Sequence, residues 1–138
     1  MNLPKIEPYI MFNGRTEEAL EFYKTALGAN VACIMKFSDC PEGAPPGQED
    51  KVMHAAFTVG DCTIMASDGC GEEEPISGIS LSISVATNEE VDKFFDALAK
   101  NGEVTMPAGE TFWSPRFAMV KDKFGVHWMI GVLSKECA

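Results

Sequence analysis

The sequence predicts an α+β fold of two tandem βαβββ modules, and three observations carry that prediction. The order strand, helix, then three strands is written twice along the chain. The two copies align residue by residue at nearly constant offsets. Apolar residues alternate in the strand-like runs but recur at helical spacing in two intervening segments, the marks of half-buried strands and amphipathic helices.

The first strand is IEPYIMF, residues 6–12, and the turn NGRT breaks it. Thr16-Glu17-Glu18 then opens a helix, with acidic residues where the positive end of the helix dipole favours them. Ala19, Leu20, Tyr23, Ala26 and Leu27 share one face, and Gly28 ends the run. An apolar run from Asn30 to Phe37 follows, then the polar loop SDCPEGAPPGQED. KVMHAAFTV (51–59) and CTIMAS (62–67) are joined by Gly60-Asp61, which suits a hairpin.

The second copy opens with the alternating strand ISLSISVA, residues 79–86. Asn88 is expected to cap the helix EEVDKFFDALAK, with Val91, Phe94, Phe95 and Leu98 on one face and Asn101-Gly102 at its end. EVTMP, the loop AGETFWSP, RFAMVKD and VHWMIGV complete the module. Glu17-Glu18 and Phe22-Tyr23 lie 72 positions before Glu89-Glu90 and Phe94-Phe95. Phe12 matches Val85 at an offset of 73, so the first strand–helix turn holds one extra residue. Met65 matches Met129 at an offset of 64. A repeat of this kind weighs more than any single motif.

Length and composition bound the rest. A chain of 138 residues and 15.0 kDa is expected to be one domain, 1–138. Module one spans about 5–68, a linker about 69–77 and module two about 78–132. The formal charge of −10 would repel nucleic acid and anionic lipid. There is no basic segment leading into an apolar run at the N-terminus and no apolar stretch long enough to span a membrane. Five cysteines, none in a C-x-x-C pair, read as reduced thiols of a cytoplasmic protein. Cys33 and Cys62 fall in strand-like runs and are expected in the core. Cys40, Cys70 and Cys137 fall in loops or the tail, with nothing nearby to make a reactive thiolate.

PYIMFNGRTEEALEFYKTALGA (8–29), MASD (65–68) and ETFWSPRFAMVKDKFGVHWMI (110–130) resemble the PhnB-like branch of the vicinal oxygen chelate superfamily, whose branch label refers to a demethylubiquinone methyltransferase. The resemblance covers nearly the whole chain. It implies a glyoxalase-like fold, in which curled mixed sheets enclose a cavity, and a homodimer. The methyltransferase label itself finds no support, because no Gly-rich strand–helix turn offers a site for a methyl-donor nucleotide.

In such a fold each strand shows one face to its helix and the other to the cavity. Met53, Ala55, Phe57 and Val59 are expected on the helix side, leaving Val52, His54, Ala56 and Thr58 for the cavity. Cys62, Ile64 and Ala66 pack, leaving Thr63, Met65 and Ser67. Leu81, Ile83 and Val85 pack, leaving Ser80, Ser82 and Ser84. Val126, Trp128 and Ile130 pack, leaving His127 and Met129. The repeat then gives Pro8, Ile10 and Phe12 to the helix and Glu7, Tyr9 and Met11 to the cavity.

The superfamily's metal-binding members use four cavity positions, which carry over to Glu7 (or Pro8), Met65, Ser80 and Met129. One carboxylate, one hydroxyl and two thioethers are a poor set for a divalent cation. No metal or other cofactor is therefore expected. The methionines read as adaptable lining of an apolar pocket, or as plain core filler.

The expected ligand-binding residues are Glu7, Tyr9, His54, Thr58, Met65, Ser80, Ser82, Trp113 and Met129. His54 is the candidate catalytic residue, a general base beside Thr58 and Glu7, or else an imidazole bonded to a neighbour. Trp113 is a lid, a loop anchor or a dimer contact. Arg116 reads as a surface ion pair, and Asp68 and Asp122 as turn residues. The leading expectation is a protein that binds a small molecule without the usual metal. An enzyme related to the lyases, isomerases or dioxygenases, using His54 and Glu7 or a non-standard metal, is the alternative. A structural role with a filled cavity is a third.

Overall fold

The structure, a computed structural model, describes residues 4–69 and 75–132. Cys70, Cys137 and most of the acidic linker lie outside them. The chain divides into two compact units, 1–74 and 75–138.

In the first unit β1 (Tyr9–Met11) leads into α1 (Thr16–Leu27), followed by β2 (Asn30–Lys36), a 3-10 turn (Phe37–Asp39), β3 (Val52–Val59) and β4 (Cys62–Ser67). The sheet order is β1-β4-β3-β2, with β1 and β4 parallel and the other pairs antiparallel. The helix follows the apolar spacing read from the sequence: Ala19, Leu20, Tyr23, Ala26 and Leu27 are buried, and Gly28 closes it in the left-handed conformation that a Cβ would strain. Tyr23 stacks on Phe57 of β3, ring centroids 5.6 Å apart, which fixes the helix-side face of this sheet. Both rings are fully buried, each contributing about 2–3 kcal/mol of apolar transfer.

The second unit repeats the plan with β5 (Ser80–Val85), α2 (Asn88–Leu98), β6 (Glu103–Gly109), β7 (Phe117–Lys121) and β8 (His127–Val132). Its order is β5-β8-β7-β6, again with the first pair parallel. Strand pairing reproduces the repeat: Tyr9 is the partner of Met65, and Ser82, which lies 73 positions after Tyr9, is the partner of Met129. Val91 and Leu98 of α2 are buried, as are Ala118, Val120, Trp128 and Ile130 of the sheet.

Several expectations need correction. The cap of α2 is Thr87, whose hydroxyl accepts from the Glu90 amide, one residue before the expected Asn88. Cys33 and Cys62 are exposed rather than core. Cys62 starts β4 at the hairpin tip, and an irregularity between Val31 and Cys33 resets β2 so that Cys33 pairs with Ala56 on the outward register. Val52, expected on the open face, is fully buried, its amide held by Asp68 Oδ2 at 2.8 Å. Ser67, likewise expected to be open, is buried and accepts from the Gly69 amide.

Thr16 is fully buried, and its Oγ1 has no hydrogen-bond partner. An unsatisfied buried hydroxyl costs free energy that a methyl group of similar shape does not. Thr16→Val is therefore expected to stabilise the protein by about 1 kcal/mol, read as a higher urea midpoint at unchanged slope. A loss of stability would show that the hydroxyl is satisfied.

Candidate functional site

Register sorts the side chains of each sheet into a helix-side face and a helix-free face. In the first unit, Tyr9, Met65, Ala56 and Cys33 form one helix-free row across β1, β4, β3 and β2. The pairs Met11–Ser67 and His54–Met35 lie beside it, and Thr58 and Thr63 face each other on its other side. In the second unit, Ser82, Met129, Met119 and Met106 form a continuous row across all four strands. The rows flanking it are Ser80–His127–Lys121–Glu103 and Ser84–Gly131–Phe117–Gly109.

Of the eight methionines, Met1 lies outside the described residues. Six of the other seven fall on these helix-free rows, and Met53, alternating with His54, does not. Met65, Met106, Met119 and Met129 are half-buried, while Met11 and Met35 are exposed. A thioether on an unbranched chain adapts to irregular shapes and is polarizable, so this segregation makes each face apolar but compliant.

The structure brings some of the expected site residues together. Tyr9 Oη lies 3.2 Å from His54 Nδ1, with the rings 5.6 Å apart. That contact engages Nδ1 of the imidazole. His54 was expected beside Glu7 and Thr58, but its bonded neighbour is Tyr9. Glu7 precedes β1 and forms an ion pair with Lys5 at 3.6 Å, and Thr58 is paired in register with Thr63. Ser80 and Ser82 are exposed on β5. Among the described residues no cluster of three or more His, Cys, Asp or Glu forms a metal-ligand set.

Trp113 sits in the loop between β6 and β7, 41% exposed, with its ring edge-on to Phe117 at 5.3 Å. Phe112 beside it is 96% exposed. Local hydrogen bonds hold this loop. The Thr111 amide donates to the Ser114 carbonyl, the Ser114 amide to Thr111 Oγ1, and the buried Ser114 hydroxyl reaches the carbonyls of Arg116 and Val132. Gly131 permits the packing beneath it, because a Cβ there would lie 2.8 Å from Phe117 Cδ2. Arg116 forms the expected ion pair, Nε to Asp92 at 2.6 Å.

Sequence reasoning missed Met35, Met106, Met119, Phe117 and Lys121 as members of the helix-free faces. The signal was present for β7: alternation in RFAMVKD already separates Phe117, Met119 and Lys121 from Ala118 and Val120. For Met35 and Met106 it was not, because irregular pairing beside each residue breaks simple alternation.

Among the described residues no helix is long and apolar enough to cross a membrane. The fold closely matches a protein of Pseudomonas aeruginosa, PA1353, which is 40% identical, with 94% of this chain and 98% of that chain covered and a TM-score of 0.87. A Bacillus cereus protein described as a putative 3-demethylubiquinone-9 3-methyltransferase, PhnB protein, is 31% identical, with 94% and 100% covered and a TM-score of 0.81. The fosfomycin resistance protein FosX of Listeria monocytogenes shares the fold at 13% identity, with 99% and 98% covered and a TM-score of 0.66. The sequence profile of the 3-demethylubiquinone-9 3-methyltransferase family matches residues 4–131. The repeated βαβββ plan, the paired registers and these matches together make the chain a member of that family, the PhnB-like branch of the vicinal oxygen chelate superfamily.

Proposed function

We propose that this protein binds a small, largely apolar molecule on the helix-free faces of its sheets, without the four-position metal set of its metal-binding relatives. The observation that carries the reading is the segregation of methionine, six thioethers on helix-free rows; the family resemblance assigns Met65 and Met129 to two of the metal-binding positions. Binding sites for small molecules combine an apolar lining with a few placed polar groups, which Tyr9 and His54 supply in the first unit and Ser80 and Ser82 in the second. Cys33, Cys40 and Cys62 are free thiols, in keeping with a reducing cytoplasm. A homodimer is part of the proposal, on the family's precedent.

A thermal-shift screen of the untagged, dialysed protein with small apolar compounds is expected to find ligands that raise Tm by several degrees at a hundredfold excess over Kd, since such an excess adds about 2.7 kcal/mol. Elemental analysis of the same sample is expected to find far less than one metal ion per chain. An empty screen would sink the binding reading. Near-stoichiometric zinc, nickel, manganese or iron would sink the metal-free one.

One observation favours an enzyme as the second reading. A His54 imidazole oriented through Nδ1 by a phenol has the form of a positioned general base. Turnover of a carbonyl or epoxide substrate lost in His54→Asn, with binding retained, would establish it.

A further inference from the structure

The second unit places two cationic or proton-accepting groups at one end of its methionine row. Lys121 and His127 are register partners, each two residues along its strand from a member of that row, Met119 and Met129. Side chains two apart on a strand share a face, at a separation of roughly 6.6 Å. Both groups are half-buried, and among the described residues neither has an ion pair or side-chain hydrogen bond. Glu103 is the other register partner of Lys121, but it stands exposed on edge strand β6 and forms no ion pair with it. A half-buried ammonium beside apolar thioethers, unpaired within its own unit, is complementary to a ligand anion.

From this geometry we infer that the second unit's helix-free face takes an apolar carboxylic acid. The apolar body lies over Met106, Met119 and Met129. The carboxylate accepts from Lys121, with His127 beside it, and Ser82 meets polar substituents at the far edge of the row. The thioethers favour a flat, polarizable body, because sulfur packs well against aromatic rings. The formal charge of −10 penalises each added ligand charge, so the class is restricted to monoanions. This inference rests on the small-molecule reading and adds the ligand's chemistry and its place.

The test uses the full-length protein with methyl-labelled methionine, followed by NMR while naphthoate or its neutral methyl ester is added. The signals of Met106, Met119 and Met129 are expected to move with naphthoate. The acid should bind about tenfold more tightly than the ester, the contribution of one charge-assisted hydrogen bond. Lys121→Gln should abolish that preference and leave the ester's affinity unchanged; its unliganded spectrum reports whether the fold is intact. Equal binding of acid and ester, or a preference that survives Lys121→Gln, would overturn the carboxylate assignment and leave the binding reading standing. Movement confined to Met11, Met35 and Met65 would overturn the location. Silence of every methyl group to both probes overturns the inference, and the broader reading falls with it only if the thermal-shift screen is also empty.

Discussion

Asp122→Ala is expected to lower stability by about 3–4 kcal/mol, a large share of what a domain of this size possesses. Asp122 is 3% exposed, and its carboxylate accepts from the amides of Phe124 and Val126 at Oδ1 and from the Trp128 indole at Oδ2, the last at 2.8 Å. It thus ties the β7–β8 turn to the indole on the buried row of β8. Alanine takes the carboxylate away from three donors, two of them in buried surroundings, and hydrogen bonds to charged groups contribute about 1.5–3 kcal/mol each before the turn relaxes. Asn has one acceptor oxygen where the site uses two, so Asp122→Asn should also lose about 2 kcal/mol by setting an NH2 against a donor. Urea unfolding followed by tryptophan fluorescence checks both. Losses under 1 kcal/mol in both variants would mean that the carboxylate is not holding the turn.

The fold was legible because its signals repeat. Alternation named the less exposed face of β5 and the buried face of β8, and the repeat reappears in the pairing of Tyr9 with Met65 and of Ser82 with Met129. What alternation could not supply was behaviour at irregular points. Cys33 follows a register shift, Cys62 sits at a hairpin tip, and Val52 is drawn in by a bond to a residue 16 positions away. The candidate site was less legible than the fold. His54 and Tyr9 were each placed on the open face, yet their contact spans 45 residues and depends on β4 lying between their strands. Asp68 and Asp122 looked alike as turn residues. Asp122 is one, but Asp68 is bonded to a helix and to another strand. A short polar side chain beside glycine advertises a turn; nothing local advertises a distant partner.

Asp68 shows how the two copies came to differ, and Asp68→Ala is expected to cost about 2–3 kcal/mol. In the second unit α2 carries its own cap, Thr87. The residue aligned with Thr87 at the helix offset is Arg15, which caps α1 in sequence but makes no side-chain cap bond, since a guanidinium accepts no hydrogen bond. The extra residue in the first strand–helix turn and this loss of a local acceptor leave the start of α1 dependent on another element. Asp68, just beyond β4, supplies it: Oδ1 accepts from the Thr16 amide at 2.9 Å and Oδ2 from the Val52 amide at 2.8 Å. Its charge also suits the positive end of the helix. The residue in the same register of the second unit is Val132, whose amide bonds Arg116 as that of Asp68 bonds Val52, and which has no carboxylate to offer. Removing the local cap by Thr87→Ala should therefore cost only about 1 kcal/mol, because that hydroxyl is exposed and water can replace it. Removing Asp68 strands two amides that water does not reach as easily. If the two variants lose equal stability, α1 does not depend on the distant carboxylate, and the asymmetry between the copies has no energetic content.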